Sequence, residues 1–275
     1  MVIDDARIGI VLGAGAARGW AHIGVLRALE EAGIRPHIVC GTSIGAMIGA
    51  LYADDRLGEI ESWVGALTWR KVMGFFDIAF GGGLLKGARV SAFLQQHFGD
   101  REIAELARPF GAVATDLKTG HEIWLRGGKV THAVRASIAL PGLFTPWPEN
   151  GRFLVDGALV NPVPVSLCRA MGAEFVIAVD LSSPLIGPAV AKVSAEKKAE
   201  GMPGMAEIVM NAINIMSTRI TRSRLAGDPA DVVIMPRLGQ FGLLDYHHAA
   251  QAMTEGREAT AILTPQIRRL LGENT

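Results

Sequence analysis

The sequence has no excess of charge of either sign: Lys and Arg together number 27, and so do Asp and Glu. No net field therefore draws the chain toward nucleic acid, and nucleic-acid binding is not expected. Cysteine is scarce, with only Cys40 and Cys168. Neither belongs to a C-x-x-C pair or lies near a run of metal-ligating residues. A disulfide framework and a cysteine-based metal site are thereby excluded, and two buried free thiols in a reducing compartment are expected. No stretch approaches the ~18 consecutive apolar residues that a membrane span requires, so any membrane contact is expected to be peripheral. The N-terminal MVIDDARIGIVLGAG has Asp4 and Asp5 where a secretory signal needs positive charge, and a cytoplasmic location, at most peripheral to the inner face of a membrane, is the expectation. Aromatics make up only 6% of the residues.

What the chain does have is apolar residues and glycine, at 49% and 33 residues of 275. That is ample for one globular core. The run IGIVL at 8–12, followed by a glycine-rich turn and a helix over about 20–32, reads as a buried strand, loop and helix. HIVCGTSIGAMIGALYA repeats the pattern, with a strand at 37–40, a tight turn at Ser43 and an apolar helix to about Ala53. Two such units in succession imply a parallel sheet with right-handed crossovers. The expected fold is a three-layer α/β/α domain with a mainly parallel central sheet, spanning 1–275. Residues 57–85 contain Trp63, Trp69, Phe75, Phe76 and Phe80, and form a candidate apolar cap. A helix over 86–98, strands at 110–115 and 121–125 joined by a turn at 118–120, and a helix over 131–140 follow. Further strands are expected at 153–155, 175–181 and 231–235, and helices at 205–225 and 247–271. Residues 182–206, rich in Ser, Pro, Gly, Ala and Lys, read as a mobile loop.

Gly41-Thr42-Ser43-Ile44-Gly45 matches G-x-S-x-G between a strand and a helix, where a sharp turn lifts the serine hydroxyl above the sheet and the flanking glycines avoid clashes with backbone. Ser43 is thus a candidate nucleophile, and the helix beginning after it aims N–H groups at an anion forming nearby. None of the seven histidines (22, 37, 97, 121, 132, 247 and 248) sits in a motif that would make it the partner base. Gly13-Ala14-Gly15-Ala16-Ala17-Arg18-Gly19 follows the first strand and opens a helix. A dinucleotide site needs a third glycine at 18 and an acidic residue at the end of a second strand, and the chain has neither. The alternatives are an oxyanion hole built from close-approaching amides or a tightly packed turn. Asp156 ends a short apolar strand and precedes Gly157; Asp180, at the end of EFVIAVDL, is its rival.

Three blocks, LGAGAARGWAHIGVLRALEEAGI at 12–34, GTSIGA at 41–46 and Asp156-Gly157-Ala158 within ASIALPGLFTPW…VDGALVNPVP, together resemble the patatin-like phospholipase family in its compact bacterial form. The resemblance runs from 12 to 164. It implies a serine esterase or lipid acyl hydrolase, of phospholipase A or lysophospholipase type, acting through an acyl-enzyme. In that scheme Ser43 is the nucleophile and Asp156 the base, with no histidine, and Gly13, Ala14, Gly15, Ala16 and Arg18 form the oxyanion loop. Gly41 and Gly45 frame the elbow. A lipid or other acyl ester is the implied substrate, and no metal or cofactor is implied. Two other classes remain open: an acyltransferase using the same serine, which a histidine beside Ser43 would favour, and a lipid-binding or regulatory protein of weak activity. Ala14 and Ala16 interrupt what is usually a glycine run in the family. An alanine forced to positive φ there would be strained by ~1 kcal/mol or more.

Overall fold

The computed structural model describes residues 6–65, 88–182, 204–243 and 245–272. Eight strands form one sheet: β1 (Ile8–Leu12), β2 (Ile38–Thr42), β3 (Phe110–Asp116), β4 (Glu122–Leu125), β5 (Trp147–Glu149), β6 (Arg152–Asp156), β7 (Phe175–Val179) and β8 (Val232–Ile234). Its order is β5-β6-β3-β2-β1-β7-β8, with β4 also paired to β3. The pairs along β3-β2-β1-β7-β8 are parallel, and β4, β5 and β6 add antiparallel pairs at one side. The helices are α1 (Ala21–Glu31), α2 (Ile44–Ala53), α3 (Leu57–Gly65), α4 (Ala88–Phe98), α5 (Val130–Ser137), α6 (Val165–Ala170), α7 (Met205–Gly227) and α8 (Ala249–Leu271).

Strands β1, β2, β3 and β7 are buried at every position and mostly apolar because helices cover both faces. Ile10, Leu12, Val39, Ile177 and Val179 pack into a core with α1, α2, α3 and α8. The alternate residues Val11, Cys40, Val176 and Ala178 pack on the other face with Leu167 and Cys168 of α6. These are the three layers expected from the sequence, and both thiols are buried and free. Helices α1 and α8 cross at two glycines. A Cβ on Gly24 would lie 1.9 Å from the Met253 carbonyl oxygen, and one on Gly256 2.1 Å from that of Ala21. Gly24→Ala should therefore cost on the order of 1–3 kcal/mol, as overpacking against backbone does, read as a fall in the thermal midpoint.

Element boundaries shift by a few residues from expectation. The expected start of α1 at Trp20 is a 3-10 turn, Ala16–Trp20, with the α-helix following. Three elements were not expected. Strand β5 is three residues long and contains Pro148, tolerable because it lies at the sheet edge. Helix α6 has only six residues, too few to show a period. Helix α3 occupies the start of the supposed cap, and the rest of that cap, Trp69 and Phe75 to Phe80 included, lies outside the described residues. So does nearly all of the expected loop at 182–206.

One detail of the sheet decides where the site lies. Strand β4 takes one edge of β3 over Ala112–Thr115, so β2 and β6 must share the other edge. Thr42 of β2 pairs with Val113, and Asp156 of β6 pairs with the next residue, Ala114. The C-terminal ends of β2 and β6, running in opposite directions, therefore meet head to head beside β3.

Candidate active site

Ser43 leaves β2 at φ 58° and ψ −126°, a backbone region that costs a residue with a side chain about 1–3 kcal/mol. Close packing holds it there. A Cβ on Gly41 would lie 2.4 Å from the Gly45 carbonyl oxygen, and one on Gly45 2.0 Å from that of Leu12. The Ser43 amide donates to Ser137 Oγ (2.9 Å), which in turn donates to the Val113 carbonyl (2.7 Å). The turn is thus pinned to β3 through a side chain of α5.

The head-to-head strand ends bring the two predicted residues together. Ser43 Oγ donates to Asp156 Oδ2 at 2.6 Å. The other carboxylate oxygen, Oδ1, accepts from the Ala158 amide at 2.8 Å, and the Asp156 backbone is held by Thr115 Oγ1 and the Ala139 carbonyl. Asp156 is fully buried. Burial pushes its carboxyl up to about 7, against the opposing pull of the hydrogen bonds from Ser43 and Ala158. Its rival Asp180 instead accepts from the Ser182 amide two residues on.

The glycine-rich loop is sorted by its hydrogen bonds. The Gly13 amide donates to Val179, that of Ala14 to Pro162 and that of Arg18 back to Gly15. Of the five candidate residues, only Gly15 and Ala16 have amides without a partner among the described residues, and both line a pocket with Ser43. Ala16 stands at φ 49° while Ala14 does not have positive φ, so the interruption of the glycine run strains one position of the two. Ala16→Gly should raise the thermal midpoint by a few degrees, relief of ~1–2 kcal/mol of strain outweighing the extra freedom of glycine in the unfolded chain. Arg18 is 5% exposed and its Nε donates to the Phe241 carbonyl at 3.0 Å, tying the loop to the segment before α8.

No described histidine lines either pocket around Ser43. His22 is fully buried behind the loop with Nε2 2.8 Å from the Gly13 carbonyl, and burial lowers its ring to about 4, so that it is neutral. The neutral ring must place its proton on Nε2, the atom facing an acceptor that has none to give.

Two pockets meet at Ser43. One, about 110 Å³, has walls from Trp20, Ile44, Met47, Trp63, Phe93, Leu143, Phe144 and Tyr246. The other is lined by Gly15, Ala16, Asp156 and Ala158 on one side and by α7 on the other.

Residues 10–169 match the family model described as patatin-like phospholipase, more than half of the chain. The chain belongs to the patatin-like phospholipase family. Among patatin-like relatives, an NTE family protein of Mycobacterium tuberculosis is 37% identical over 187 residues, covering 68% of this chain and 52% of its own. The human patatin-like phospholipase domain-containing protein 6 is 37% identical over 190 residues, 66% of this chain and 14% of that protein. The chain thus spans about half the length of the mycobacterial relatives it matches. The crystal structure of VipD from Legionella pneumophila superposes with a TM-score of 0.62 over 95% of this chain and 67% of VipD at 13% identity, a likeness of fold. Family membership supports lipid hydrolase activity in general. Ser137 and Thr115, which hold the patatin-like site from behind, escaped sequence reasoning, whereas His22 was weighed there only as one of seven histidines outside any base motif. Ser137 alone carried a signal, as the polar residue within the otherwise apolar ASIAL segment.

Proposed function

We propose that the chain is a serine acyl hydrolase acting on lipid esters, with Ser43 as nucleophile and Asp156 as its base. The observation that carries the reading is the 2.6 Å contact from Ser43 Oγ to a buried carboxylate whose affinity for a proton is raised to about 7. A carboxylate of ordinary acidity would be a poor acceptor of a serine proton, and one near 7 is matched to neutral conditions. As Ser43 Oγ bonds to the ester carbonyl carbon, Asp156 takes its proton, and the carbonyl oxygen becomes an anion facing the free amides of Gly15 and Ala16. The carbon–alkoxy bond then breaks and the alcohol leaves with the proton held by Asp156. Water, deprotonated by the same carboxylate, releases the fatty acid.

The aromatic pocket suits the acyl chain because it offers apolar walls and little else to bind. No described helix is long and apolar enough to cross a membrane, and contact with lipid is read as peripheral, from the cytoplasmic side. The hydrolase is preferred to an acyltransferase because no described histidine lies in either pocket. A fluorophosphonate probe should label the protein at Ser43 and leave Ser43→Ala unlabelled. Intact wild-type protein that takes no label would favour the lipid-binding reading instead.

A further inference from the structure

His22 occupies the core for the sake of one hydrogen bond. Its ring is fully buried, and Nε2 lies 2.8 Å from the Gly13 carbonyl oxygen. Nδ1 is buried as well and meets no hydrogen-bonding partner among the described residues. An imidazole is a poor choice for filling space, because a buried ring nitrogen without a partner has lost its hydration and an aliphatic side chain has none to lose. The reason for a histidine therefore lies with the nitrogen that is bonded. Its reach follows from its place: His22 is the second residue of α1, where side chains lean back toward the helix N-terminus and so over the loop that precedes it.

The bonded carbonyl is where the glycine-rich loop touches the nucleophile elbow. A Cβ on Gly45 would lie 2.7 Å from the Gly13 oxygen, besides its clash with Leu12. The peptide that carries this oxygen is also held at its other end, where the Ala14 amide donates to Pro162 at 2.9 Å. A planar peptide bonded at both its C=O and its N–H has one orientation. That orientation sets the direction in which the chain enters Gly15 and Ala16, whose free amides line the pocket with Ser43. The loop amides of Gly13 and Ala17 are anchored to the main chain, at Val179 and Leu243. His22 adds a grip from a side chain, on the carbonyl nearest the two free donors.

We infer that His22 is a positioning residue for acyl transfer: through the Gly13 carbonyl it aims the Gly15 and Ala16 amides at the oxyanion that forms on attack by Ser43. This rests on the hydrolase reading above. His22 lines neither pocket, so its effect falls on the charged tetrahedral state and not on binding of the uncharged ester.

The test uses His22→Leu, which removes the donor, and His22→Gln, whose side-chain amide restores one. Two inhibitors of the same chain length separate the states. Ser43 Oγ adds to the carbonyl carbon of octyl trifluoromethyl ketone, its proton passing to Asp156, and leaves a tetrahedral oxyanion facing the loop; octyl methyl ketone binds without addition. His22→Leu should lower kcat on p-nitrophenyl butyrate by about 10- to 100-fold and leave KM within about threefold, as misplaced oxyanion donors do. Its preference for the fluorinated ketone, read as the ratio of the two inhibition constants, should fall by a similar factor. His22→Gln should bring both quantities back to within about threefold of wild type. The ratio is taken within each protein, so the folded fraction does not enter it. A merely structural role would lower the melting midpoint of His22→Leu and leave that ratio at its wild-type value. An unchanged ratio in folded His22→Leu, or His22→Gln no better than His22→Leu, overturns the proposal. So does failure of both His22→Leu and His22→Met to fold, which would make the bond a requirement of the fold. Wild type that neither hydrolyses the ester nor prefers the fluorinated ketone fails the hydrolase reading instead.

Discussion

Ser43→Ala should abolish hydrolysis of a p-nitrophenyl acyl ester, with kcat/KM falling by on the order of 10⁴-fold or more, because in the proposed mechanism the acyl-enzyme forms on Ser43. Asp156→Asn should lower it by about 10²–10⁴-fold, the range supplied by a positioned base. Asparagine keeps the carbonyl oxygen that accepts from Ala158 but presents nothing that can take the Ser43 proton. Near wild-type rates in either purified, folded variant would remove the dyad from the mechanism. In wild type the base must be ionised to act, so kcat/KM should rise with pH through an apparent pKa of about 7 and level off above it.

The second large effect is on stability and has the opposite sign. The Asp156 carboxyl is raised in the folded state from an ordinary 3.8 to about 7 by burial. The native protein therefore holds a proton that the unfolded chain has lost between those values, and stability falls as pH rises from about 4 to about 7. The full penalty above pH 7 is of order 4 kcal/mol before any offset from relaxation. Asp156→Asn carries no such penalty. It should melt at a higher temperature than wild type at pH 8, with the gap closing by pH 4. Identical pH dependence of the two melting curves would show that the carboxylate is not destabilised by its surroundings. The comparison must be made between variant and wild type, since His22 works the other way. Its ring is lowered to about 4, so the unfolded chain binds the extra proton and stability rises with pH between about 4 and 6.5. Over much of the same interval the two buried groups offset one another. A pH–stability curve of wild type alone would look flatter than either residue makes it.

Much of the architecture was legible because the central strands are short, mostly apolar runs and the first two are followed by small-residue turns. Ile8–Leu12 and Ile38–Thr42 could be little else than buried parallel strands. The elbow was legible because G-x-S-x-G between a strand and a helix is a local pattern: Gly41 is required by a contact with Gly45 four residues on, although the contact that requires Gly45, with Leu12 of β1, is long-range. The pairing of Ser43 with Asp156 was carried by family resemblance, since the shared edge of β3 is a long-range register that no local pattern encodes. Which amides of the loop are free was not legible at all. It depends on acceptors at Pro162 and Val179, some 150 residues away. Helix α7 was expected over about 205–225, and which of its residues line the pocket emerges only from the fold.

The head-to-head meeting of β2 and β6 also makes the site a reporter of assembly. Serine and carboxylate hang from two strands that have β3 as their shared neighbour, so neither half of the chain holds both. Reactivity of Ser43 toward a covalent probe should then appear during refolding only when β6 has docked. The rate at which labelling returns would time the docking of β6 on β3.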